Sequence, residues 1–216
     1  MDISILTTNP DHPVVEKLKN WRESIISLGH TVSIFFDKTE LIGGDILFMV
    51  SCAQLINEAE KNKFKSTLVL HASDLPKGRG WSPHIWSILE GNNTITLCLL
   101  EASEPVDSGR IWFKTSFNLS GHELLPEINE KLFAAELYLM EIAIAEFNQI
   151  SPQEQQGDSG KYLKKRTEED SKLDIDKSIA EQFNLLRVVD NTRYPAFIEY
   201  LGFKYAIRIE KIGNVK

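Results

Sequence analysis

Two short polar segments carry the residue types that acid–base chemistry needs. The first, Leu70-His71-Ala72-Ser73-Asp74-Leu75-Pro76-Lys77-Gly78-Arg79-Gly80-Trp81-Ser82-Pro83, sets a histidine at the head of a loop with two glycines. An imidazole titrates near neutral pH and can take and return a proton. The plainer reading is a histidine that only caps a strand by hydrogen bonds. The second segment, Glu101-Ala102-Ser103-Glu104-Pro105-Val106-Asp107-Ser108-Gly109-Arg110, supplies carboxylates. A carboxylate beside an imidazole fixes its tautomer and stabilises its protonated form, although Asp107-Ser108-Gly109 by itself reads more readily as an ordinary turn. Arg79, helped by Lys77, suits contact with a phosphate or carboxylate. Trp81 follows Gly80 on the loop and suits stacking on a base or sugar. Trp86 falls in a helical pattern as core, and His84 reads as a helix-surface residue. His12 reads as a plain turn residue, and His30 and His122 carry no partner signal.

The elements that must hold these segments alternate between strand and helix. Ile3 to Leu6, Thr31 to Phe36, Asp45 to Val50, Thr67 to Leu70 and Thr94 to Leu100 are short apolar runs of strand character. Between them, Val14, Val15, Leu18, Trp21, Ile25 and Ile26 recur at helical spacing, with Gly29 in the place of a C-terminal glycine. Ala53 to Phe64 and Ser82 to Leu89 also read as helical. Such alternation predicts an α/β fold, a doubly wound, Rossmann-like and mostly parallel sheet with helices on both faces. In open sheets of this kind ligands bind beyond the carboxyl ends of the strands. Both polar loops follow a strand, so both are expected at one edge of the sheet. The first turn, Thr7 to Pro13, lacks glycine, which disfavours a dinucleotide cradle. A long amphipathic helix spans about Gly121 to Phe147. Ser151 to Gly160 reads as a mobile linker, which divides the chain into a catalytic domain, residues 1–150, and an extension, residues 151–216. In the extension a small helix precedes a β-hairpin that turns near Gly202.

Composition narrows the classes of function. The 216 residues carry 24 Lys+Arg against 31 Asp+Glu, a net charge of −7. That balance argues against a nucleic-acid partner, whose phosphates need clustered basic residues. No apolar run is long enough to span a bilayer, and Met1 to Leu6 enters a strand without the features of a signal peptide. Cys52 and Cys98 stand apart in apolar runs, so neither a disulfide nor a metal site is expected and the cytoplasm is the expected compartment. Tyr205, Ile207 and Ile209 alternate with polar or small residues in the last strand and leave a face that a lone hairpin does not cover. A homodimer built near that segment is expected.

Together, His71, Ser73, Leu75, Pro76, then Arg79, Gly80, Pro83, then Asp107 and Gly109 resemble the catalytic region of formyltransferases that use 10-formyltetrahydrofolate. Arg166-Thr167, Asp170-Ser171, Arg187 and Tyr194-Pro195-Ala196-Phe197 resemble the segment after the catalytic core in the sugar N-formyltransferases and methionyl-tRNA formyltransferases. The resemblance covers most of the chain, strongly at residues 68–112 and weakly before residue 40. It implies that 10-formyltetrahydrofolate is the formyl donor and that a primary amine is the acceptor. The Arg-Gly-x-x-Pro element is most similar to the branch acting on nucleotide-linked amino sugars, which points to surface glycan synthesis. His71 would be the base, Asp107 its orienter, and Ser73 a further catalytic residue. Met49, Ser51, Cys52, Ala53 and Ser108 would contact the folate, although an apolar run ending a buried strand explains residues 49–53 without a ligand. Lys77, Arg79, Gly80 and Trp81 would contact the acceptor. Methionyl-tRNA is the second candidate acceptor and fits the acidic chain poorly.

One position departs from the family pattern. The family has Asn-x-His, and here Val69 stands in the asparagine place, where the resemblance implies a donor to the formyl oxygen. Losing such a donor costs roughly 3–4 kcal/mol of transition-state stabilisation if nothing replaces it. Three readings follow: another donor substitutes (Ser73, protonated His71 or a loop N–H), Asn92 or Asn93 serves in a shifted register, or the protein binds folate with little or no turnover. The intact remainder of the motif favours substitution.

Overall fold

The computed structural model describes residues 1–213. Its elements, in chain order, are β1 (Asp2–Leu6), α1 (Val14–Ser27), β2 (Thr31–Phe35), β3 (Gly44–Met49), α2 (Glu58–Lys61), β4 (Phe64–His71), α3 (Pro83–Leu89), β5 (Thr94–Glu101), β6 (Ile111–Asn118), α4 (Leu125–Ala145), α5 (Phe183–Arg187), β7 (Ala196–Tyr200) and β8 (Phe203–Ile207). The first six strands form one sheet in the order β2-β1-β3-β4-β5-β6. β1, β2, β3 and β4 are mutually parallel, as the alternation predicts.

Alternate residues of these strands feed two apolar layers. Ile3, Ile5, Ile46, Phe48, Leu68 and Leu70 meet Val14, Leu18, Trp21 and Ile25 of α1 and Leu132, Phe133, Leu139 and Met140 of α4. The Trp21 indole N–H donates to Glu141 Oε1 at 3.1 Å, tying α1 to α4 over this layer. On the other face Leu6, Leu47 and Met49 pack with Leu41 and Phe64. Among the described residues no helix is long and apolar enough to cross a membrane.

Three expectations are corrected. β5 runs antiparallel to β4, and β6 antiparallel to β5. Cys98 pairs with His71 and Glu101 with Leu68, so β5 runs back along β4 from the end at which β4 left the sheet. β6, at the sheet's edge, has no counterpart in the expected element order. Its Ile111, Trp112, Phe113 and Phe117 mix with Lys114 and Ser116 and pair with β5 instead of extending the following helix. The helix expected over Ala53 to Phe64 shrinks to Glu58–Lys61. Asn57 and Glu60 form a reciprocal capping box that starts it, upstream residues are held out of helix by the bond from Ala53 N–H to Thr8 Oγ1, and Phe64 already belongs to β4.

In the extension, β7 and β8 pair antiparallel through a tight turn at Leu201-Gly202, both at positive φ, the geometry that two-residue hairpins favour. Leu173, Leu186, Val189 and Ala196 bury the hairpin's base. Tyr200, Phe203 and Tyr205, on one face of its tip, are exposed.

Candidate active site

β4 ends in His71, and pleating puts His71 on the same face as Val69. His71 Nε2 lies 2.9 Å from the Gly78 carbonyl, and Nδ1 lies 3.5 Å from Asp107 Oδ1. Both ring nitrogens thus face oxygen acceptors, and a neutral ring can donate to only one of them. The pair is shielded from water: His71 is 7% and Asp107 8% exposed. Asp107 Oδ2 accepts the Gly80 N–H at 3.0 Å, so one carboxylate ties the strand-end histidine to the Arg79-Gly80 loop.

The shared edge expected for both loops required a parallel β5, and β5 is antiparallel. Its end lies beside Leu68, in the middle of β4. Asp107 still reaches His71 because the loop doubles back. Ala102 N–H bonds Thr67 O, Glu101 N–H bonds Arg110 O, and Gly109 presses so close to Glu101 that an added Cβ would sit 1.9 Å from the Glu101 carbonyl oxygen. Asp107 itself adopts φ +60°, a left-handed conformation that aspartate tolerates better than most residues.

Residues 153–165, part of the expected linker and extension, run as a strap across both loops. Ile111 and Gln153 exchange two backbone bonds of 2.8 Å. Gln155 Nε2 donates to the carbonyls of Asp107 and Gly109, and its Oε1 accepts from Arg79 Nη2 at 2.8 Å. The Arg79 carbonyl and the Trp81 N–H flank the contact with Leu163: Leu163 N–H donates to Arg79 O and Trp81 N–H donates to Leu163 O. Gly80 lies so near that its Cβ would fall 2.3 Å from Leu163 O. The glycine of the Arg-Gly pair is therefore demanded by a backbone crossing.

Beyond the strand ends opens a cavity of about 610 Å³. His71, Asp107, Gly80 and Trp81 line it, as do Met49, Ser51, Cys52, Ala53 and Val69. Ser73, Lys77, Arg79 and Ser108 do not line it. Ser73 packs beneath Gly78 with its hydroxyl unpartnered, Arg79 is turned to Gln155, and Ser108 Oγ bonds Ser103 and the Pro105 carbonyl. Lys77 is exposed.

Several lining residues were not singled out as functional from sequence. His12, His84, Asn129, Glu136 and Tyr162 all face the cavity. Burial holds the His84 imidazole down to about 4, with His71 and His12 adding to it. Burial, then Arg193, lowers His12, and burial raises the Cys52 thiol. Burial alone pushes the Glu136 carboxyl up to about 8. Glu136 lies in a Leu- and Glu-rich helical run, and nothing local marks it as the glutamate that turns inward.

No family model matches the chain. Methionyl-tRNA formyltransferase of Rickettsia felis is 29% identical over 134 residues, which are 61% of this chain and 44% of that protein. The chain thus spans less than half the length of that relative. Among solved structures, methionyl-tRNA formyltransferase from Clostridium thermocellum superposes with a TM-score of 0.82 at 21% identity, covering 100% of this chain and 95% of that one. HypX from Aquifex aeolicus, solved with tetrahydrofolic acid, gives 0.77 at 21% identity over 96% of this chain and 37% of that one. A 4-N formyltransferase from Francisella tularensis gives 0.76 at 20% identity, covering 98% of both. The fold is shared with these proteins over nearly the whole chain.

Proposed function

We propose that this protein is an N-formyltransferase that moves the formyl group of 10-formyltetrahydrofolate to a primary amine on an amino sugar, nucleotide-linked in the leading reading. The buried His71–Asp107 pair, at the wall of a cavity that Met49 to Ala53 also line, carries the proposal. The acceptor nitrogen attacks the formyl carbon and forms a tetrahedral centre. His71 takes the proton lost by that nitrogen and returns it to N10 as the carbon–N10 bond breaks, leaving a formamide and tetrahydrofolate. Asp107 balances the imidazolium formed in between.

Tetrahydrofolate in the HypX structure, on the same fold, supports a folate donor. Residues 1–150 form the catalytic domain in this reading, and residues 151–216 an extension whose strap braces it. The exposed Tyr200, Phe203 and Tyr205 suit a homodimer contact in the cytoplasm. The acidic chain favours a small acceptor over methionyl-tRNA, the substrate named for the Rickettsia relative. Val69 in the cavity wall favours a second reading, a folate-binding protein with weak turnover.

Calorimetric titration with 5-formyltetrahydrofolate, a stable stand-in for the donor, separates these. Saturable binding together with formylation of an amino sugar nucleotide is expected. Absence of heat and of a thermal shift at millimolar ligand sinks the proposal, and binding without turnover selects the second reading.

A further inference from the structure

Glu136 is 5% exposed, yet among the described residues its buried Oε2 has no hydrogen-bond partner. It ends a stripe of α4, with Asn129, Leu132 and Phe133, that walls the same cavity as His71. His84, on α3, faces this cavity too, and its buried Nδ1 is equally without a partner. His12 packs edge-on against Phe133, with ring centroids 5.9 Å apart, and so belongs to the same wall. Buried polar atoms are normally satisfied, and of the unpartnered ones among the described residues these two belong to residues that line this cavity. A carboxyl held protonated by burial both donates and accepts, and a neutral imidazole nitrogen does one or the other.

We infer that Glu136 and His84 form the acceptor subsite and hydrogen-bond the hydroxyl groups of a sugar ring, which makes them determinants of acceptor class. This rests on the formyltransferase reading and extends it to the substrate. An apolar acceptor side chain such as methionine's thioether would bury both groups unsatisfied, whereas a hydroxylated ring satisfies both. The folate contacts expected at Met49 to Ala53 involve neither residue.

The test uses the full chain and three probes: UDP- and dTDP-linked amino sugars, L-methioninamide, and 5-formyltetrahydrofolate. Glu136→Leu should weaken amino sugar binding by about tenfold or more, the worth of a buried hydrogen bond. It should leave the affinity for 5-formyltetrahydrofolate unchanged within about twofold and raise Tm, because an unsatisfied buried carboxyl is gone. Glu136→Gln, which keeps both hydrogen-bonding functions, should retain amino sugar affinity, and His84→Leu should behave as Glu136→Leu does. Amino sugar affinity unchanged in Glu136→Leu overturns the inference. So does a fall in its Tm, which would mark Glu136 as structural, or a wild-type preference for L-methioninamide. Failure of the wild type to bind 5-formyltetrahydrofolate strikes the formyltransferase reading instead, and the amino sugar titrations still decide the subsite.

Discussion

Asp107→Asn is the sharpest probe of the proposed chemistry, because it changes charge with almost no change in shape. At 3.5 Å, unit charges on His71 and Asp107 attract by about 5 kcal/mol at an effective dielectric near 20. Desolvation of both groups offsets much of this, so the net worth is about 2–3 kcal/mol. An asparagine can still accept the Gly80 N–H with its oxygen. Its amide then turns N–H toward His71 Nδ1 and selects the tautomer protonated at Nε2, the nitrogen already near the Gly78 carbonyl. No ring nitrogen is left to take the acceptor's proton, and an imidazolium that forms has lost its counter-charge. Turnover should fall by roughly 30- to 200-fold, while urea unfolding shifts by less than about 1 kcal/mol, since each hydrogen bond keeps a partner. Single-turnover formation of tetrahydrofolate, followed at several pH values, reads the rate. A variant that turns over within threefold of the wild type would refute the role of Asp107 and, with it, the base–orienter assignment.

Two further outcomes follow from packing and burial. Gly109→Ala should lose about 2 kcal/mol or more in urea unfolding, and turnover with it, because its Cβ would sit 1.9 Å from Glu101 O; Gly91→Ala, with open space at its Cβ, should lose no more than about 1 kcal/mol and leave turnover intact. Glu136, with its carboxyl pushed up to about 8, is protonated when folded and ionised when unfolded between its ordinary value and that one. Its contribution is therefore fully present below the ordinary carboxylate range and is lost as pH rises toward 8, at about 1.4 kcal/mol per pH unit; urea unfolding at stepped pH should show Glu136→Gln flatter than the wild type, and parallel curves would contradict the buried, unpaired carboxyl.

What sequence could show depended on how local the cause was. The parallel strands β1, β2, β3 and β4 announce themselves as apolar runs, and α1 as a stripe closed by Gly29, because burial on fixed faces imposes those periods. His71 and Asp107 were legible as residue types on loops after strands. The path that unites them was not, since an apolar run such as Thr94 to Leu100 reads alike in either direction and the doubling-back depends on the contact of Gly109 with Glu101. Gln155 was illegible for a related reason. In a Gln- and Ser-rich stretch it has the composition of a linker, and only the fold brings it under Asp107 and Arg79. Gly80 was seen as a motif position, but the need for it comes from Leu163, far along the chain.

Val69, Glu136 and His84 share a further trait, that each contradicts its local context. Val69 is ordinary in a strand but lines the cavity at the place where the family resemblance expects a donor. Glu136 is ordinary on a helix but turns to the inside, and His84, which reads as surface, has a buried nitrogen. Such local misfits concentrate where a site imposes its own demand on the chain. All three face the one cavity that His71 and Asp107 also line, although they come from three separate elements. The unused hydrogen-bonding capacity of Glu136 and His84 meets Val69 in a single space, and a hydroxylated ligand is the chemistry that answers it.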